Sequence, residues 1–260
     1  MLMGAAPHLP VREIIAKSYA YSWNNRGALI LPIAVLLLID LFSAWLSTSA
    51  SAAGDELLRA RILVPSLVSI GLFLFGMMAF AVGLHRRILL GEDRQDLALF
   101  RVDRALLLYV WTLLKVSLAL GAICLVLILP VAILQGVTTA VTSQPPSLDQ
   151  MLPLTMAAIV IDLMFGIRLM LALPGAAVGG ERSVRRSWRL SRGNWGRLIV
   201  ILLGVTLPFQ LPSLTIGQIR PGELSWAAII LDAILTTVSL PVLTAALSLS
   251  YGKLAEARPR

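Results

Sequence analysis

The sequence predicts an all-α integral membrane protein: six transmembrane helices forming three hairpins, each hairpin preceded by an amphipathic helix on the cytoplasmic face of the bilayer. Three observations lead there. The 260 residues are 58% hydrophobic and 14% charged, with a mean hydropathy of +0.85, whereas soluble domains carry about 25% charged residues. Long apolar runs recur along the chain, and basic residues crowd every second connecting segment.

A hydrocarbon core of about 30 Å needs about 20 apolar residues of helix. The runs that qualify are Ala28–Leu46, Ile62–Leu84, Trp111–Leu134, Leu152–Leu173, Leu198–Ile219 and Trp226–Leu249. A membrane β-barrel is excluded, because its strands read as alternating segments of about ten residues and these runs are continuous. The first run reads as a retained anchor, although Ala50, Ser51 and Ala52 imitate a cleavage site. Its 27-residue lead, with Arg12, Lys17 and Arg26, is too long for a signal n-region, and secretory h-regions span only about 7 to 15 residues.

Six spans put both termini on one side. Seventeen of the 22 lysines and arginines fall in the N-terminal segment, around Arg86 to Arg104, around Arg182 to Arg197, and in the tail; three, Arg59, Arg61 and Arg220, fall on the other side. By the positive-inside rule the termini are expected to be cytoplasmic. The formal charge of +8 is then accounted for by topology and anionic headgroups, at about 1 kcal/mol for each cation, without nucleic acid. The chain reads as one transmembrane domain of three units, about 10–84, 96–173 and 181–249, with a basic tail 250–260.

The segments before the first and fifth spans have helical periodicity. Val11, Ile14, Ile15, Tyr19 and Trp23 share one face, with Arg12, Glu13 and Lys17 elsewhere. Val184 and Trp188 share a face opposite Arg182, Arg185, Arg186, Arg189 and Arg192, a pattern suited to anionic headgroups. A shift of 169 residues superimposes Lys17 on Arg186, Ser18 on Ser187, Tyr19 on Trp188, Ser22 on Ser191, Asn25 on Asn194, Gly27 on Gly196, Leu29 on Leu198 and Ile30 on Ile199. Six of these pairs are identical. Asp96 to Arg104 gives a weaker third copy, with Leu97 and Phe100 on a common face. Fixed-period similarity of this kind marks repeated units; the competing reading is chance similarity among membrane-proximal segments.

The run Arg168-Leu-Met-Leu-Ala-Leu-Pro174, Glu181, and Ser187-Trp-Arg-Leu-Ser-Arg-Gly-Asn-Trp195 resembles a broad group of poorly characterised bacterial inner-membrane proteins. These are similar to the membrane domain attached to some glycerophosphodiester phosphodiesterases. The resemblance implies a multi-span helical fold. It does not extend to phosphodiesterase activity, because the soluble catalytic domain of the attached enzymes has no counterpart in this sequence.

Reactive groups are scarce. His8 and His85 have no partners at metal-ligand spacing, and the GxxxxGK[ST], HExxH, GxSxG and GxGD patterns are absent. Cys124, the single cysteine, sits among apolar neighbours and reads as inert packing. No catalytic residue, metal or cofactor is predicted.

Five ionisable residues lie inside spans: Asp40, Lys115, Asp162, Arg168 and Asp232. Each would cost at least about 2.5 to 3.5 kcal/mol against lipid. Lys115 is near enough to a helix end to snorkel. Asp162, Arg168, Asp40 and Asp232 form the expected buried polar centre, the last two toward the outer half of their spans. Asp162 and Arg168, six residues apart, are separated by about 600° of turn and about 9 Å of rise, so each needs a partner on another helix or in a wet cavity. Arg168 keeps its proton and is expected to face an aspartate or freed backbone carbonyls, either as a structural clamp or as a site for an anionic headgroup or solute.

Prolines 32, 130, 208, 212 and 241 also fall inside spans, each removing a backbone donor. Pro208 and Pro212 are expected to kink or break the fifth span, the device that forms solute sites in some transporters. Gly76, Ala79 and Gly83 form a small-residue face for close helix packing.

The function these features favour is a non-catalytic membrane protein acting through anionic lipid, a small solute or a protein partner. The lipid contacts would be Arg182, Arg185, Arg186, Arg189, Arg192 and Trp188. The alternatives are a transporter or channel with a polar interior site, and a membrane-embedded lipid enzyme, which would need acidic or nucleophilic groups converging at one depth.

Overall fold

The computed structural model describes residues 8–52, 56–92, 96–142, 156–157, 160–179, 184–217 and 226–257. Among these the chain is 91% helical with no strand. In chain order come α1 (Val11–Asn24), α2 (Arg26–Ala52), α3 (Glu56–Leu90), a 3-10 turn (Asp96–Leu99), α4 (Arg104–Thr142) and a π-helical turn (Asp162–Gly166). There follow α5 (Ile167–Met170), α6 (Ala172–Ala177), α7 (Val184–Ser191), α8 (Trp195–Gly217) and α9 (Trp226–Glu256).

Five described helices are long and apolar enough to cross a bilayer: α2, α3, α4, α8 and α9. Their outward faces carry exposed Ile30, Leu38, Phe42, Leu63, Leu67, Leu118 and Leu214, a continuous apolar surface that a soluble monomer does not present. The chain is a multi-pass membrane protein. The remaining predicted run, Leu152–Leu173, begins outside the described residues; its described part is a shorter apolar helix, Leu163–Ala177, interrupted at Leu171. Pro174 accounts for that interruption. It lacks the N–H that would bond the Met170 carbonyl but is tolerated in the first turn of a helix restarting at Ala172.

Three buried clusters hold the bundle. One joins α1, α7, α8 and α9 through Ile14, Leu190, Leu198, Val205 and Val242. A second joins α3, α4 and α6 through Val82, Leu106, Tyr109 and Ala177. The third joins α2, α3 and the 3-10 turn through Leu29, Leu36, Phe80, Leu84 and Leu99.

The segments expected to rest on the membrane are instead docked on the protein. α1 packs on α8 and α9, the 3-10 turn on α2 and α3, and α7 on α5 and α6. On α1, Ile14 and Ser18 are buried, and Ile15 lies over Gly204, where an added Cβ would come within 2.6 Å of its Cδ1. Part of the amphipathic face is therefore covered by helices, while Trp23 at its end stays exposed.

The weak third copy contracts to the four-residue 3-10 turn. Leu99 is its buried residue, while the Leu97 side chain lies outside the described residues. The small-residue face on α3 explains this tight seat: a Cβ at Gly83 would overlap the Leu99 carbonyl, and one at Gly76 would come within 2.9 Å of Leu36. Asp103 then caps α4, its Oδ1 accepting from the amides of Ala105 at 2.8 Å and Leu106 at 3.3 Å.

Candidate functional site

Arg168 projects from α5 onto α7. Its Nε donates to Ser191 Oγ at 3.0 Å and its Nη2 to the Trp188 carbonyl at 3.4 Å. The guanidinium lies 3.5 Å from the centre of the Trp188 ring, on which Phe165 also stacks at 5.7 Å. In return Ser187 Oγ donates to the carbonyls of Arg168 and Leu169. Those carbonyls lie where the helix turns at Leu171, and a neighbouring hydroxyl supplies a donor there.

The described partners of Arg168 are thus a hydroxyl, a carbonyl and an indole face, where an aspartate or freed carbonyls were expected. A half-buried cation over an indole gains on the order of 1 to 2 kcal/mol from the ring alone. The Asp162 side chain lies outside the described residues. Asp40 on α2 and Asp232 on α9 are both half-buried, on helices that pack against each other. Neither is among the described partners of Arg168.

On α7, Arg185 and Arg189 are exposed and Arg186 is half-buried, and Arg192, in the turn just after the helix, is exposed; Arg182 lies outside the described residues. The opposite side of the same helix is fastened to the bundle by buried Ser187, Leu190 and Ser191. Trp188, expected at headgroup level, retains 37% exposure with its ring engaged by Arg168 and Phe165.

The expected break at Pro208 and Pro212 does not occur: α8 runs as one helix from Trp195 to Gly217. Pro208 cannot donate to the Gly204 carbonyl, and Tyr19 of α1 does so in its place, its hydroxyl 3.2 Å from that oxygen. The freed acceptor is filled from within the protein, so no solute is needed there.

Two features were not legible in the sequence. Glu92 accepts from Arg86 Nε at 2.8 Å and from Arg101 Nη1 at 2.7 Å, Arg101 also pairs with Asp103, and Arg86 Nη1 reaches the Ala177 carbonyl at 3.2 Å. This network ties the end of α3 to the start of α4 and to α6. Burial pushes the Asp103 carboxyl up, but the Arg101 hydrogen bond, the two capping amides and the Arg101 charge outweigh it and hold it below its usual range. Arg86 and Arg101 read as topology charges on sequence alone, and a lone loop glutamate carries no periodicity to mark it. The second feature is His85, buried, with Nδ1 2.7 Å from Ser248 Oγ and its ring 5.8 Å from that of Tyr109. It joins α3, α4 and α9. Among the described residues no three His, Cys, Asp or Glu side chains gather as a metal-binding set.

Fold and site together define a class, the multi-pass helical membrane protein with a basic helix clamped to its bundle. No protein-family model, curated protein or solved structure matches the chain.

Proposed function

We propose that this is a non-catalytic protein of the bacterial inner membrane that binds anionic lipid through α7. In this reading 152–173 completes a sixth span, the spans pair as three hairpins, and both termini are cytoplasmic, as the distribution of basic residues supports. The resemblance to the membrane domain of some glycerophosphodiester phosphodiesterases belongs to the same proposal. One observation carries it: α7 is fixed on one side by Ser187, Leu190 and the Arg168 clamp, and its other side presents Arg185, Arg189 and Arg192. A helix held this way pays little ordering entropy on meeting a charged surface. Arg168 has a structural role here, setting the pose of the helix that carries the contact arginines.

The test is lipid retention. Reversing Arg185, Arg189 and Arg192 to glutamate together should weaken phosphatidylglycerol binding at least about 100-fold, at about 1 kcal/mol per arginine lost. Unchanged retention in a folded variant would overturn the proposal. The half-buried carboxylates Asp40 and Asp232, on the packed helices α2 and α9, favour a second reading, a cation-coupled transporter; it requires flux in proteoliposomes that the pair Asp40→Asn and Asp232→Asn abolishes.

A further inference from the structure

Where the chain turns at Asn25 from α1 into α2, a lateral groove of about 670 Å³ opens between these helices, α8 and α9. That volume falls within the range of about 300 to 1,000 Å³ typical of small-molecule sites. Ile33, Phe209, Val238 and Val242 give it apolar walls, and its polar groups gather at the end nearest the α1–α2 turn. Of these, the Tyr19 hydroxyl is committed to the Gly204 carbonyl and Ser22 Oγ to the Ser18 carbonyl. Arg26 is left with its charge unneutralised. Its guanidinium lies 4.9 Å from the Trp23 ring centre and donates to the Trp23 carbonyl at 3.1 Å, and no carboxylate pairs with it among the described residues. Trp23 is 69% exposed, as an aromatic at a membrane interface is expected to be.

A cation at one end and an apolar trough running about 10 Å along α2, from Arg26 to Ile33, match an amphiphile lying along the bilayer normal. Gly27 lines the same groove, and a Cβ there would meet nothing within 4 Å. The space beside it is open, so a large side chain at this position would occupy the trough. We infer that this groove holds one molecule of anionic phospholipid from the cytoplasmic leaflet, an acyl chain against Ile33, Phe209 and Val238 and the phosphate at Arg26. The inference rests on the orientation and lipid reading proposed for the chain, but it places a single-molecule site on a different face from α7.

Native mass spectrometry of the full chain released from nanodiscs of phosphatidylglycerol and phosphatidylethanolamine tests it. The unaltered protein should retain one phospholipid, phosphatidylglycerol in preference. Gly27→Phe fills the trough and should remove the retained molecule of either kind, while Gly27→Ala should keep it. Arg26→Gln should keep a molecule but lower the preference for phosphatidylglycerol about fivefold, equivalent to about 1 kcal/mol for one basic residue. Val238→Trp closes the groove from the opposite wall and serves if Gly27→Phe does not fold. A folded occluding variant that retains the lipid as before overturns the inference. The triple charge reversal on α7 separates the two proposals. If it alone releases the retained molecule, the groove assignment fails; if the occluding variants alone release it and α7 reversal changes no lipid binding, the α7 proposal fails and the groove stands.

Discussion

The α1–α2 and α7–α8 junctions are built on aligned residues yet make different bonds. Ser18 bonds back to the Ile14 carbonyl of its own helix at 2.7 Å, whereas Ser187 leaves its helix for the carbonyls of Arg168 and Leu169. Tyr19 gives its hydroxyl to the carbonyl that Pro208 leaves open, and the aligned Trp188 offers its ring face to the Arg168 cation. The aligned asparagines differ in which distant donor they accept from: Asn25 Oδ1 takes Arg87 Nη2 at 3.1 Å and Asn194 Oδ1 the Leu9 amide at 3.1 Å. Leu29 and Leu198 are equally buried. The shared positions supply contact points, and the chemistry at each follows what the facing helix lacks: a donor for a carbonyl opposite α1, a π-face and an acceptor for a cation opposite α7.

Removing the cation should have the largest effect on this comparison. Arg168→Ala takes away two charged hydrogen bonds and a ring contact and is expected to cost about 3 kcal/mol, read by equilibrium unfolding in mixed SDS micelles. A loss below about 1 kcal/mol would mean that the α7 clamp is incidental. Tyr19→Phe comes next. It orphans the Gly204 carbonyl at about 1 to 3 kcal/mol, and adding Pro208→Ala, which returns the backbone donor, should recover most of that loss. Failure of the second change to rescue the first would remove the proline from the explanation.

The smallest effect lies in the third copy. Asp103→Ala should cost about 1 kcal/mol through the lost helix cap. Because the Asp103 carboxyl is held below its ordinary value of 3.8, its contribution is complete above that value and is lost as pH falls through the lower folded value. Stability of the intact protein should therefore fall in that acid range, with Asp103→Asn showing a shallower slope. Equal slopes for the two proteins would assign the acid sensitivity to other groups.

Five spans were legible because a run of about 20 apolar residues has few alternatives to a bilayer. What covers an amphipathic face was not. Val11, Ile14, Ile15 and Tyr19 have the same periodicity whether they meet lipid or α8 and α9, so the docking of α1 on those helices could not be read from the pattern. The Arg168 clamp was half legible: the cost of burying its charge signals a partner, but a tryptophan and a serine of an adjoining helix leave no charge pattern to announce themselves. The Pro208 reading stopped one step early, since a freed carbonyl creates a solute site only if no side chain reaches it.

The seat of α1 has a consequence for biosynthesis. The Leu9 amide meets Asn194, and Tyr19 meets Gly204, across 185 residues each. α1 thus docks on helices translated long after it, and its seats on α8 and α9 do not exist while the middle of the protein is being translated. Its amphipathic pattern suits the interval, because a nascent α1 can float at the water–lipid boundary until α8 and α9 arrive. Docking of α1 would then wait until the helices that receive it have been inserted.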